Sequence, residues 1–197
     1  TVYKTHAMPT LGDLYNEYYN RNSVLFLPVL SENGGIPAIS EFYVFRDFKP
    51  VGTLDMQDAL VGLLAENKLR SFSVKLSGGE IIKLDAPDCS YEITTYRGKP
   101  QLILTVKSEA ALMNGMCADS EEREELEAQT NRKLTEVLKE TLCAAQDEKG
   151  VDLADSFRKL GGSDRSLYDR YAGDKTHYDA VINYEVKSEV TLVEIGR

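Results

Sequence analysis

Apolar positions along the chain fall into two periods, and the switches between them mark out its elements. Residues 11–20 place Leu11, Leu14, Tyr15 and Tyr18 at helical spacing, and the apolar run VLFLPVL at 24–30 has the length of a strand. Residues 40–45 read as a strand, with residues 49–53 as its hairpin partner. Asp55 is placed to cap a helix reaching about residue 66, with Met56, Leu60, Leu63 and Leu64 on one face. Phe72, Val74 and Leu76 alternate in a half-buried strand over 71–76.

Further strands are expected at 80–84, 90–96 and 101–107, the last two joined by the turn RGKP at 97–100. Asp85 and Asp88 bracket Ala86-Pro87, a turn composition. The longest helix is expected over 119–148, capped by Asp119 or Ser120. Its stripe is Leu126, Thr130, Leu134, Val137, Leu138, Thr141, Leu142 and Ala145. One apolar face means that it lies on a sheet or on another helix. A short helix opens at Asp152, carries Leu153, Phe157 and Leu160, and is expected to stop at Gly161-Gly162. Residues 163–171 add a turn or two.

The clearest strand pattern comes last, with Ile182, Tyr184, Val186, Ser188, Val190 and Leu192 alternating with charged and polar residues. One greasy face and one charged face suggest a solvent-backed antiparallel strand. Strands and helices do not alternate strictly, so the fold class is α+β. A small β-hairpin/helix domain over 36–78 precedes an antiparallel sheet packed against one long and one or two short helices over 79–197. Residues 1–35 are a linker or the end of a preceding domain.

Composition narrows the function classes. The 197 residues carry a net charge of −9, which a phosphate backbone repels, so nucleic acid is not an expected partner. Residues 119–148 hold 10 acidic and 4 basic residues and so contribute −6 of that −9. No run of about 18 apolar residues occurs, so no spanning helix is expected. The chain starts at Thr1 without a basic–apolar leader; it is either intracellular or a piece whose targeting segment was removed.

Chemistry is sparse. Cys89, Cys117 and Cys143 lie 28 and 26 residues apart, and His6 and His177 are the only histidines. Metal ligation needs tighter clustering, so no metal or cofactor is expected. Cys143 falls on the apolar stripe and reads as a small buried hydrophobe. No nucleophile elbow, zinc-protease, dinucleotide or phosphate-loop string occurs. A triad would rest on His177, in what reads as a surface loop. The pairs Asp85/Asp88 and Asp152/Asp155 are available for acid–base work, but read as turn and cap residues. The acidic turn at 121–125 lacks the glycine of a calcium loop and reads as a solvated helix start.

The order of several stretches is more informative. FLPV at 26–29 precedes the hairpin VFRDFKPVGTLD at 44–55, which leads into LVGLL at 60–64. Gly98-Lys99-Pro100, the charged helix at 120–147, Asp152-Leu153-Ala154-Asp155-Ser156-Phe157 and a final strand ending at Ile195-Gly196 follow. Over about residues 24–197 this chain resembles the C-terminal region of the Ger(x)C family, the lipoprotein C subunits of spore germinant receptors. It departs from the family's pattern in lacking tryptophan, offering Tyr168 and Tyr171 instead, and in Ser40 and Glu41 where small residues are usual.

The resemblance implies a non-catalytic interaction or scaffold module in nutrient-induced spore germination. It implies a lipid anchor outside this chain, on the extracytoplasmic side of the spore inner membrane, and partners in the membrane-spanning A and B receptor subunits. Phe42, Tyr43 and Phe48 on the hairpin, with Tyr168 and Tyr171, are the candidate interface anchors. The competing reading is a small-ligand-binding domain or carboxylate hydrolase, with a cleft between the 36–78 and 79–197 units.

Overall fold

The computed structural model describes residues 24–34, 36–46, 49–115 and 119–193. The expected helix at 11–20, Phe48, Cys117 and Ile195-Gly196 lie outside them. The first sheet joins β1 (Val24–Asn33), β2 (Ile36–Arg46) and β3 (Lys49–Asp55), antiparallel and in that order. The chain then enters α1 (Met56–Ala65), where the Asp55 carboxylate accepts from the Asp58 N–H at 2.9 Å. The sequence suggests one apolar face for α1, yet every residue from Ala59 to Ala65 is buried. The helix touches β2, β3, β5 and the long helix at once, so burial runs around it. Gly62 is what lets it close on the first sheet: a Cβ there would stand 2.6 Å from the Phe26 ring.

The second sheet runs β4 (Ser71–Lys75), β5 (Ile81–Tyr96), β6 (Lys99–Leu112) and β7 (Asn183–Leu192). Two expectations fail here. The Asp85–Asp88 stretch is no turn, because β5 continues through it with a bulge, Ala86 at φ 42° and its N–H bonded to the Arg70 carbonyl. And β7 is parallel to β6, with Leu102 opposite Tyr184 and Val106 opposite Ser188, so the sheet is mixed. Seventy residues separate it from the end of its partner strand, and the helices between carry it back across the sheet. The β5–β6 hairpin is as expected: Arg97 and Gly98 form a two-residue turn, both at positive φ.

Glycine at position 86 relieves the left-handed strain of a Cβ at the bulge. Ala86→Gly is expected to raise stability by up to about 1 kcal/mol, read as a higher urea midpoint at unchanged slope.

Helix α2 (Ser120–Lys149) is capped by Asp119 accepting from Glu122 N–H and stops at Gly150, φ 63°. Leu126, Thr130, Leu134, Leu138, Thr141, Leu142 and Ala145 are its buried stripe. One flank of α2 also closes the edge of β7. Asn131 bonds both backbone groups of Val190, at 2.8 and 3.2 Å, and Glu127 accepts from Leu192 N–H at 2.8 Å.

Three short helices follow: α3 (Ser156–Ser163), α4 (Arg165–Tyr171) and α5 (Lys175–Val181). α3 begins four residues after Asp152 and runs through Gly161-Gly162 rather than stopping there. The segment holding His177 is α5 and not a loop. Buried apolar residues of both sheets and of all five helices form one continuous cluster.

Candidate interaction surface

A dense polar cluster lies where α2 ends. Asp152, 2% exposed, accepts from the backbone N–H groups of Ala154 (3.1 Å) and Ser156 (2.6 Å), from the Ser156 hydroxyl, and from Tyr184 OH at 3.0 Å. Ser156 also pairs with Tyr178 OH at 2.9 Å. Burial lifts both phenols above their ordinary range, and the Asp152 charge lifts them further. Asp152 is thus no simple helix cap: it ties the end of α2 to α3, α5 and β7.

Beside it, Arg46 from β2 donates to the Gly150 carbonyl (2.7 Å) and to Asp179 (3.1 Å). Lys159 donates to the carbonyls of Ala154 (2.7 Å) and Ala65 (3.2 Å), and its ammonium stands 4.7 Å from the centre of the Tyr91 ring. The space among Arg46, Asp152, Asp155 and Asp179 is about 10 Å³, room for one water at most.

Asp155, 2% exposed, pairs with Arg158 at 2.5 Å. Burial, and then the nearby Glu66 carboxylate, push its acid well above the ordinary carboxylate range, against the pull of Arg158. The native state therefore keeps a proton that the unfolded chain has released above about pH 4. Stability contributed at this position falls as pH rises from there through the folded-state value. Asp155→Asn cannot ionise, so its stability relative to the parent should improve as pH is raised from 3 to 7. Urea midpoints at both ends of that range check it, and a constant difference would count against the assignment.

The apolar candidates separate by depth. Phe42 is 2% exposed and opposes Pro28 and Leu54 on the core side of the first sheet. Tyr171, 7% exposed, packs edge-on to Tyr178 at 5.5 Å. Both rings are inside, so a partner does not reach them. Tyr168 is half-buried, stacked on Phe157 at 5.0 Å. Tyr43 is 46% exposed on the other face of the sheet.

The registers Leu27↔Tyr43 and Leu25↔Phe45 set these four side chains side by side on that outer face, and the Phe45 ring lies 6.3 Å from Tyr43. Leu25 is buried at 8% exposure, and the half-buried Leu27 and Phe45 do not stand out in the sequence as surface residues. The signal is the unbroken apolar run at 24–30, which marks a strand with both faces covered.

The remaining candidates have structural places. His177 is exposed on α5, its ring 5.7 Å from that of Tyr171. Asp85 and Asp88 are exposed on either side of the bulge, and Glu121, Glu122, Glu124 and Glu125 face solvent in the first turns of α2. Burial raises the Cys89 thiol to about 12 and also raises Cys143. Among the described residues no three His, Cys, Asp or Glu converge as metal ligands, and no helix is long and apolar enough to cross a membrane.

The family model described as "Spore germination B3/ GerAC like, C-terminal" matches residues 40–196. The crystal structure of the GerBC protein superposes with a TM-score of 0.83 over 94% of this chain, at 12% identity. That likeness is one of fold, and the chain spans 61% of the GerBC chain. No curated protein sequence matches it.

Proposed function

The chain belongs to the spore germination B3/GerAC-like C-terminal family, and from that premise we propose that it is the non-catalytic, extracytoplasmic part of a germinant receptor. In this reading the full protein is held at the spore inner membrane by a lipid anchor outside this chain. A single acyl chain binds a membrane only marginally, so contacts with membrane-spanning A and B subunits complete the anchoring. The chain works by presenting a surface to those subunits.

The observation that carries the proposal is the apolar row of Leu27, Tyr43 and Phe45 on the outer face of the first sheet, with the Tyr43 ring standing into solvent. A rigid, half-exposed aromatic with apolar neighbours is the usual form of an interface anchor. Tyr168, stacked but reachable, is a second contact. The buried acids speak against a hydrolytic role, because Asp152 is saturated by internal donors and shares space for no more than a water.

Tyr43→Asp in the full-length protein tests this. Co-purification of the A and B subunits from spore membranes should fall by about tenfold, equivalent to about 1.4 kcal/mol of contact energy. The unfolding midpoint should stay unchanged, because the ring contributes little to the core. Undiminished recovery of both subunits would contradict the proposal.

A further inference from the structure

A second surface lies at the edge of the second sheet and does not depend on the reading above. β4 is one edge of the second sheet and pairs only with β5 among the described residues. Leu76 N–H donates to the Glu80 carbonyl at 2.9 Å, and Ala86 N–H to the Arg70 carbonyl at 2.8 Å. In an antiparallel ladder these bonds fix the alternation, so Phe72 and Val74 turn their backbone groups toward β5. Ser71, Ser73 and Lys75 therefore direct N–H and C=O outward.

That edge opens on a groove between β4, α1 and α2. One section, of about 360 Å³, has Met56, Phe72 and Val137 in its floor. A second section, of about 690 Å³, continues past Lys75 and Lys133 to Arg132. The other edge of the sheet is treated differently, since Asn131 and Glu127 occupy the outward groups of Val190 and Leu192.

The charges at the groove favour one kind of occupant. Of the two acids lining it, Glu136 is paired with Lys133 at 2.7 Å, and Glu125 accepts from Gln129 at 3.2 Å. Lys75 and Arg132 have no ion pair among the described residues. The lining carries Lys75, Arg132 and Lys133 against Glu125 and Glu136, a net +1 in a chain of net charge −9. A second copy of β4 would bring another lysine and no acid to this edge, and edge lysines commonly block such self-pairing. An acidic strand meets no such penalty. We propose that β4 takes an extended, acid-bearing segment of another protein as a fifth strand, with the segment's apolar side chains seated over Met56, Phe72 and Val137.

Amide hydrogen exchange on the 197-residue chain at low salt tests it, using two short synthetic peptides that alternate valine with glutamate or valine with lysine. The glutamate peptide should slow exchange at Ser71, Ser73 and Lys75 by about tenfold or more, while Phe72 and Val74, already bonded to β5, change little. The lysine peptide should leave all five unchanged. Ser73→Pro removes an outward donor without breaking a bond to β5, and should abolish the protection. Lys75→Glu combined with Arg132→Glu should transfer the protection to the lysine peptide. Three outcomes would overturn the proposal: no slowing at millimolar peptide, equal slowing by both peptides, or slowing that grows with protein concentration when no peptide is present. The last would make a second copy the occupant.

Discussion

Leu138→Ala is expected to lower the unfolding free energy by about 3 to 4 kcal/mol, a large share of the roughly 5 to 15 kcal/mol that holds a domain together. Leu138 is fully buried near the middle of the α2 stripe. Truncation there loses the transfer energy of the removed atoms and leaves a cavity, because backbone on both sides is fixed by regular structure. Val137, one position earlier, is half-buried and lines the open groove beside β4. The same truncation at Val137 should cost about 1 kcal/mol, since solvent already reaches the side chain. Urea unfolding of the two variants, with unchanged slope, checks both the magnitude and the rotation of α2 about its axis. Equal losses would mean that the helix faces the sheet differently.

Asp152→Ala should cost about 3 kcal/mol. Its carboxylate receives two backbone N–H groups and two hydroxyls. Alanine would leave those donors buried without an acceptor, and unsatisfied groups of this kind are the expensive case. Asp152→Asn, which keeps one acceptor oxygen, should lose about half as much. Combining Asp152→Ala with Tyr184→Phe should cost less than the sum, because the phenol no longer needs a partner. Strict additivity would show that the Tyr184 bond adds nothing to the fold.

How far the fold could be read depended on whether local chemistry decided the outcome. α1 and α2 follow from their caps and periodicity, because Asp55 and Asp119 bond their first turns as the sequence implies. The Arg97-Gly98 turn is likewise local. The errors arose where distant pairing decided. The alternation in β7 specifies one buried face but says nothing of strand direction, and the parallel register with β6 depends on the return through α2 to α5. Asp85-Ala86-Pro87-Asp88 has the composition of a turn, but Arg70 on β4 supplies the carbonyl that keeps the segment in the sheet. α5 carries no repeating apolar stripe, and its one sequence signal is Asp174, which caps it through His177 N–H.

The places of the proposed contact residues are legible in the same partial way. Tyr43 is one of several aromatics on the hairpin in the sequence, and only the pairing of β1 with β2 shows that Leu25 and Leu27 lie beside it. Phe42 cannot be told from Tyr43 by residue type; the one-residue offset sends it to the core face. Asp152 reads as a cap because its nearest partners are local, while Tyr184, the donor that makes it a tie, is 32 residues away.

The claim at the centre of this account is that the protein acts through its exterior and not through its acids. Nutrient-triggered germination of spores carrying the full-length protein, as Asp155→Asn or as Tyr43→Asp, places the two readings side by side. The account predicts germination within about twofold of the parent for Asp155→Asn, since less than about 0.5 kcal/mol separates rates that close, and its loss for Tyr43→Asp. Germination abolished by Asp155→Asn at unchanged protein level, with Tyr43→Asp unaffected, would contradict it.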